Sequence, residues 1–156
     1  MQTPTLLRGG LVAASLLLAT QPLRAQADAC SMLKPAEVTA LLGGTASPTP
    51  KPNACIWKAG DEGKKLTVNK LKATGSSAEM AFMGARQGAS HSGKTPVTDE
   101  PGLGDKAFSS LTSFGVALVV LKQGRVLQMA YYTGGEGTAK DQEALRPVAK
   151  QAVAAF

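Results

Sequence analysis

The chain has 156 residues, of which 44% are hydrophobic, 18% charged and 4% aromatic, with a formal net charge of +6. Such a length suits one domain with its own buried core, and the composition is that of a globular chain rather than a disordered or fibrous one. Few aromatics and a modest charge exclude a stacking platform for single strands, so nucleic acid is not an expected partner.

The first segment reads as an export signal. Met1 to Gly10 carries Arg8 and no acid, and Leu11 to Thr20 is a short apolar run closed by Gln21-Pro22. That run is about half the ~20 residues a membrane-spanning helix needs. Ala25 and Ala27 fit a small-x-small cleavage rule. Residues 1–27 are therefore the expected signal peptide and 28–156 a single exported domain, periplasmic or secreted. Without Arg8 and Arg24 the net charge falls to about +4. Two cysteines remain, Cys30 and Cys55, and in an oxidising compartment an even count favours a disulfide. The rival reading, an outer-membrane lipoprotein anchored through Cys30, is disfavoured by Asp28 and by the distance of Cys30 from the apolar run.

Ser31 to Gly44 predicts a short helix, with Pro35 near its start, Gly43-Gly44 at its stop and Val38, Leu41 and Leu42 on one side. Thr45 to Asn53 holds three prolines and reads as a loop. Ala54 to Lys58 and Lys65 to Lys72 flank a glycine-bearing turn and predict a hairpin. Ser76 or Ser77 caps a helix through Gln87, with Glu79 completing a capping box and Gly88 to Gly93 ending it. Thr95 to Asp105 is extended or turning, and Lys106 to Leu111 returns to a strand pattern. The continuous apolar run Val116 to Leu121 predicts a central strand covered on both faces, turned by Gln123-Gly124 into Arg125 to Thr133. Leu145, Val148, Ala149, Ala152, Val153 and Phe156 mark the buried side of a last helix, capped by Thr138 and Asp141. The expected architecture is α+β: an antiparallel sheet of about five strands with helices on both faces, in the order α-β-β-α-β-β-β-α, with one disulfide.

Several motifs carry candidate chemistry. Gly88 to Thr95 (GASHSGKT) matches a phosphate-binding loop letter for letter, but no apolar strand precedes it and Pro96 follows at once, so a nucleotide is not expected. Met80, Met83 and His91 could offer soft ligands to copper, yet methionines at helical spacing are ordinary core filler, and no metal or other cofactor is expected. The single histidine leaves only Ser90 or Ser92 as a nucleophile beside it, and sequence neighbours rarely have the geometry of a nucleophile and its base. Asp61-Glu62 and Asp99-Glu100 are acid pairs that suit turn and capping roles. Pro101 to Asp105 (PGLGD) combines turn formers with one apolar residue and reads as a tight loop between strands. Lys64, Lys65, Lys70 and Lys72 cluster on the first hairpin. They are either a candidate surface for an acidic partner or the guard of a solvated edge strand.

The segments DACSML and PAEV, then Leu42-Gly43, Cys55-Ile56-Trp57 and Gly102 to Phe108 (GLGDKAF) resemble a broad group of small exported bacterial domains of uncharacterised function. The order of elements is similar to the PsbP-like α/β/α sandwich of bacterial lipoproteins. This resemblance implies a fold and no activity. The expectation for function is a non-enzymatic exported binding protein whose partner is another envelope or secreted protein, as an accessory or toxin-neutralising factor. The alternative is a small ligand or lipid held between the sheet and a helix, with Trp57, Met80, Phe82, Met83, Met129 and Tyr131 as its apolar site.

Overall fold

The computed structural model describes residues 28–60, 63–92 and 96–156. The proposed signal segment, residues 1–27, lies outside the described residues. The first helix, α1 (Pro35–Leu42), begins on a proline whose missing N–H costs nothing there and ends at Gly43, whose φ of 76° lets its amide turn back to the Thr39 carbonyl. Then follow β1 (Ala46–Lys51), β2 (Ala54–Ala59), β3 (Lys65–Thr74), α2 (Ser76–Ser92), β4 (Thr98–Asp99), β5 (Lys106–Thr112), β6 (Gly115–Lys122), β7 (Arg125–Tyr132) and α3 (Ala139–Ala155). The strands form one antiparallel sheet in the order β1-β2-β3-β7-β6-β5-β4.

Seven strands replace the expected five or so, and both additions are edge strands. The proline-rich stretch read as a loop forms β1 because Pro48 and Pro50 are two residues apart, so both present their missing N–H to the same side of the strand. Turned toward open water, that side needs no donor, and an edge strand is where proline is tolerated. The other addition, β4, is two residues long and pairs with Ser109 and Phe108. β3 lies between β2 and β7, so Lys65 is not on an edge of the sheet, while Lys72 lies past the last residue of β3 that pairs with β2.

Helices cover both faces of the sheet. On the first face, α1 and α3 bury Trp57, Leu66, Val68, Leu127, Met129 and Tyr131, among others. On the second, α2 sets Ala78 and Phe82 against Phe108, Val119, Leu121 and Val126, with the Phe82 and Phe108 rings edge to face at 5.3 Å. A run such as Val116 to Leu121 stays apolar throughout because alternate residues enter the two cores. Each fully buried side chain of this size contributes about 1.5–3 kcal/mol. Gln123 and Gly124 close the β6-β7 hairpin with φ of 50° and 66°, the positive values a tight two-residue turn requires.

Three local devices fix the helices. Thr138 and Asp141 form a reciprocal capping box on α3, the Thr138 amide donating to Asp141 at 2.9 Å and the Asp141 amide to Thr138 at 3.3 Å. At the other end, Lys122 donates to the Val153 carbonyl at 2.5 Å and Arg125 to that of Phe156, so two cations meet the negative end of the helix. The start of α2 differs from the expected cap: the Gly75 carbonyl accepts from the Ala78 and Glu79 amides, and the Ser77 hydroxyl bonds back to the Thr74 carbonyl. The helix also runs through Gly84 and Gly88 to Ser92, because packing of Phe82 and Ala85 on the sheet outweighs the weak helix propensity of glycine.

The expected disulfide is present. Cys30 and Cys55 are joined across 25 positions, tying the segment before α1 to the buried first face of β2. Among the described residues, no helix is long and apolar enough to cross a membrane.

Candidate functional site

The two faces differ in how fully they are covered. Strand alternation sends Ile56, Thr67, Ala130, Ala117 and Ser110 to the second face as one cross-sheet row, since each is the register partner of the next. The side chains of this row are mostly small, and α2 closes the sheet on one side of it through Phe82. Farther along, α2 presents only Ala85 and Ala89, both half-buried. Alanine against alanine leaves space. The result is an open groove of about 410 Å³ lined by Ala89, Ser110, Phe114, Ala117, Ala130 and Tyr132. A space of about 360 Å³ continues it toward Thr67, Asn69 and Gln128 and shares Ala89, Ser110, Ala117, Ala130 and Tyr132.

The lining is apolar at the floor and neutral-polar at the sides. It contains hydroxyls and amides but no carboxylate, imidazole, amine or thiol. Phe114, 66% exposed, stands at the rim on the β5-β6 turn. At the other border the Lys65 ammonium rests 4.1 Å from the centroid of the Tyr132 ring.

The six residues expected to form one apolar site fall in three places. Trp57, Met129 and Tyr131 are packed in the first-face core. There the Tyr131 hydroxyl donates to the Leu41 carbonyl at 3.1 Å, and burial, with the nearby charge of Asp141, pushes its ionisation above the usual phenol range. Phe82 lies under α2 on the other side of the sheet. Met80 and Met83 point outward from α2, 62% and 59% exposed.

The four lysines are likewise spread. Lys65 is on the second face with Tyr132, and Lys64 brings its ammonium beside Gly43 at the end of α1. Lys70 and Lys72 alternate with Leu71 and Ala73, which pack under α2, and so turn to the opposite side. The phosphate-loop lookalike starts inside a helix, Gly88 to Ser92 belonging to α2, which a phosphate-cradling loop cannot do; Gly93 to Thr95 lie outside the described residues. Among the described residues no three His, Cys, Asp or Glu are grouped to hold an ion, and His91 is exposed near the end of α2. Its Nδ1 lies 2.8 Å from the Gln87 carbonyl.

Of the acid pair Asp99-Glu100, Asp99 is solvated as expected, its side chain 73% exposed, while Glu100 is buried. Neighbours on an extended strand face opposite ways, and each acid grips a different helix. Asp99 accepts from Arg86 of α2 at 2.5 Å, a hydrogen bond and charge that hold its carboxyl below the usual range. Glu100 is buried toward the first face. It accepts from Ser109 and Gln142 at 2.7 Å each and from Arg146 through two nitrogens at 3.1 and 2.7 Å. Burial pushes the Glu100 carboxyl up, but the hydrogen bonds from Gln142, Ser109 and Arg146 together outweigh it and hold the group below its ordinary value. Between Glu100, Ser109, Gln142 and Arg146 the free space is only about 10 Å³, so on this side the cluster is a clamp between β4, β5 and α3; a more open space of about 320 Å³ borders Glu100 on the α2 side, with Phe82, Arg86 and Asp99.

The Pro101 to Asp105 loop fits the expectation of a tight connection. Leu103 is buried, Gly104 has φ of 63°, and the Asp105 carboxylate accepts from the Gln123 amide at 2.6 Å. No family model, curated protein or solved structure matches the chain. The likeness to PsbP-like domains therefore rests on the order of elements read from the sequence.

Proposed function

We propose that the protein is an exported, non-enzymatic binding protein that receives a small, largely apolar ligand in the groove between the C-terminal half of α2 and the second face of the sheet. The observation that carries this reading is the uneven covering of the two faces. The first face is closed by two helices, while the second leaves a groove of about 410 Å³ floored by Ala117 and Ala130. That is within the range of small-ligand sites, which are apolar with a few placed polar groups. A lining without carboxylate, imidazole, amine or thiol supports binding over acid-base or nucleophilic chemistry. The disulfide supports export, because such bridges persist in oxidising compartments.

The test is the native mass of the protein purified from the cell that exports it. The reading predicts a noncovalent adduct that disappears on denaturation and is absent from Ala130→Trp, which fills the groove from its floor. An adduct that persists in that variant, or none in either protein, overturns it. A second reading, an envelope or secreted protein as partner, is favoured by Met80 and Met83, which stand exposed on the outer side of α2. Cross-linking from that helix surface to a specific protein, undiminished by Ala130→Trp, would select it.

A further inference from the structure

The border of the groove carries a charge arrangement that a purely apolar ligand does not explain. Lys58 and Lys65 are direct register partners on β2 and β3. Both belong to the second face, because Trp57 and Leu66, their neighbours in the chain, are buried on the first. Like charges directly opposite one another work against a sheet. The row runs from Ser47 through Lys58, Lys65, Tyr132 and Gly115 to Thr112 and contains no acid. Lys65 lies over the Tyr132 ring, and Tyr132 is itself a groove wall, so the positive pair sits where the apolar floor ends.

Resting on the groove reading above, we infer that the ligand is a single-chain amphiphile with an anionic head, a long-chain carboxylate, its chain along Ala117 and Ala130 and its carboxylate between Lys58 and Lys65. The open groove and its extension meet at Ala89, Ser110, Ala117, Ala130 and Tyr132 and form one channel rather than two, which suits one chain. A carboxylate offers two acceptor oxygens to two ammonium donors and removes the mutual repulsion of the lysines. The groove lining itself has no cation, so the head must come to its border.

The experiment titrates the full domain with decanoate, decyl maltoside and decyltrimethylammonium, each below its micelle concentration, reading the amide shifts of Thr67, Ala117 and Ala130. Decanoate is expected to bind about tenfold tighter than the neutral maltoside, with the cation weakest, and raising the salt concentration should narrow the gap. Lys58→Gln with Lys65→Gln should bring decanoate to within about threefold of the maltoside, whereas Lys72→Gln, an exposed lysine away from the groove, should leave the preference unchanged. Unchanged Trp57 fluorescence would show that the variants are folded. Equal binding of the three probes, or a preference that survives the double substitution, overturns the anionic head while leaving the groove reading in place. Shifts confined to residues outside the groove, for every probe, overturn both.

Discussion

Removing the buried carboxylate of Glu100 should destabilise the fold in a way that depends on pH. Its side chain is 3% exposed, while Arg146 is 46% exposed. In Glu100→Ala the guanidinium can turn to water, so the cost falls below the about 3–5 kcal/mol of breaking a fully buried pair. Ser109, itself buried, loses its acceptor, for which about 1–3 kcal/mol is typical. The expected loss is about 2–3 kcal/mol near pH 7, or a melting temperature lower by about 7–10 °C for a domain of this size. Because the carboxyl is held below its ordinary value in the folded state, the unfolded chain takes up the proton first as pH falls. The wild-type advantage is therefore complete above the ordinary glutamate range, near pH 4.5, and is lost as pH falls through the lower folded value. Urea unfolding of both proteins at several pH values, followed by Trp57 fluorescence, measures the difference. A gap that stays constant from neutral to strongly acid pH, or a loss below about 0.5 kcal/mol, the size of an ordinary surface change, would refute the clamp.

Replacing both Cys30 and Cys55 with Ser should cost about 3.5 kcal/mol, by the chain-entropy estimate for a loop of this length, and unfolding midpoints with and without reductant should reproduce that difference in the wild type alone. Gly104→Ala should cost about 3 kcal/mol, because a Cβ there would lie 2.6 Å from the Leu121 carbonyl oxygen at a φ of 63°. At Gly102, with φ of 81° and nothing within 4 Å, the same change should cost only about 1 kcal/mol, and paired thermal melts of the two variants test the contrast. Thr138→Ala should cost about 1 kcal/mol by removing the cap of α3, with faster amide exchange at Asp141 as its local sign.

Much of the fold was legible because hydrophobic period and caps agreed. The last helix, its Thr138 and Asp141 box, the β6-β7 hairpin and the cysteine pair all follow from local pattern. What local pattern could not show was pairing. Pro48 and Pro50 look like loop residues until β2 supplies a partner on their other side, and Thr98-Asp99 is too short to carry a period. The groove was hidden for a related reason. In Val116 to Leu121 the uniform apolarity conceals that Ala117 belongs to a different face from Val116 and Leu118. The alternation Gln128, Ala130, Tyr132 against Leu127, Met129, Tyr131 was the available signal, and it sends the Met129 and Tyr131 side chains to the first-face core, although both residues also border the groove or its extension. The same rule applied to Asp99-Glu100 would have sent the two acids apart and exposed the clamp.

The proposed function depends on which face of the sheet receives a ligand. Methyl-labelled alanine resolves this directly, since Ala89, Ala117 and Ala130 line the groove while Ala149 and Ala152 lie in the first-face core. With decanoate bound, intermolecular nuclear Overhauser effects from the alkyl chain should reach the methyls of Ala89, Ala117 and Ala130 and none on α3. Contacts to Ala149 or Ala152, or to no alanine at all, would contradict the placement of the site between α2 and the sheet.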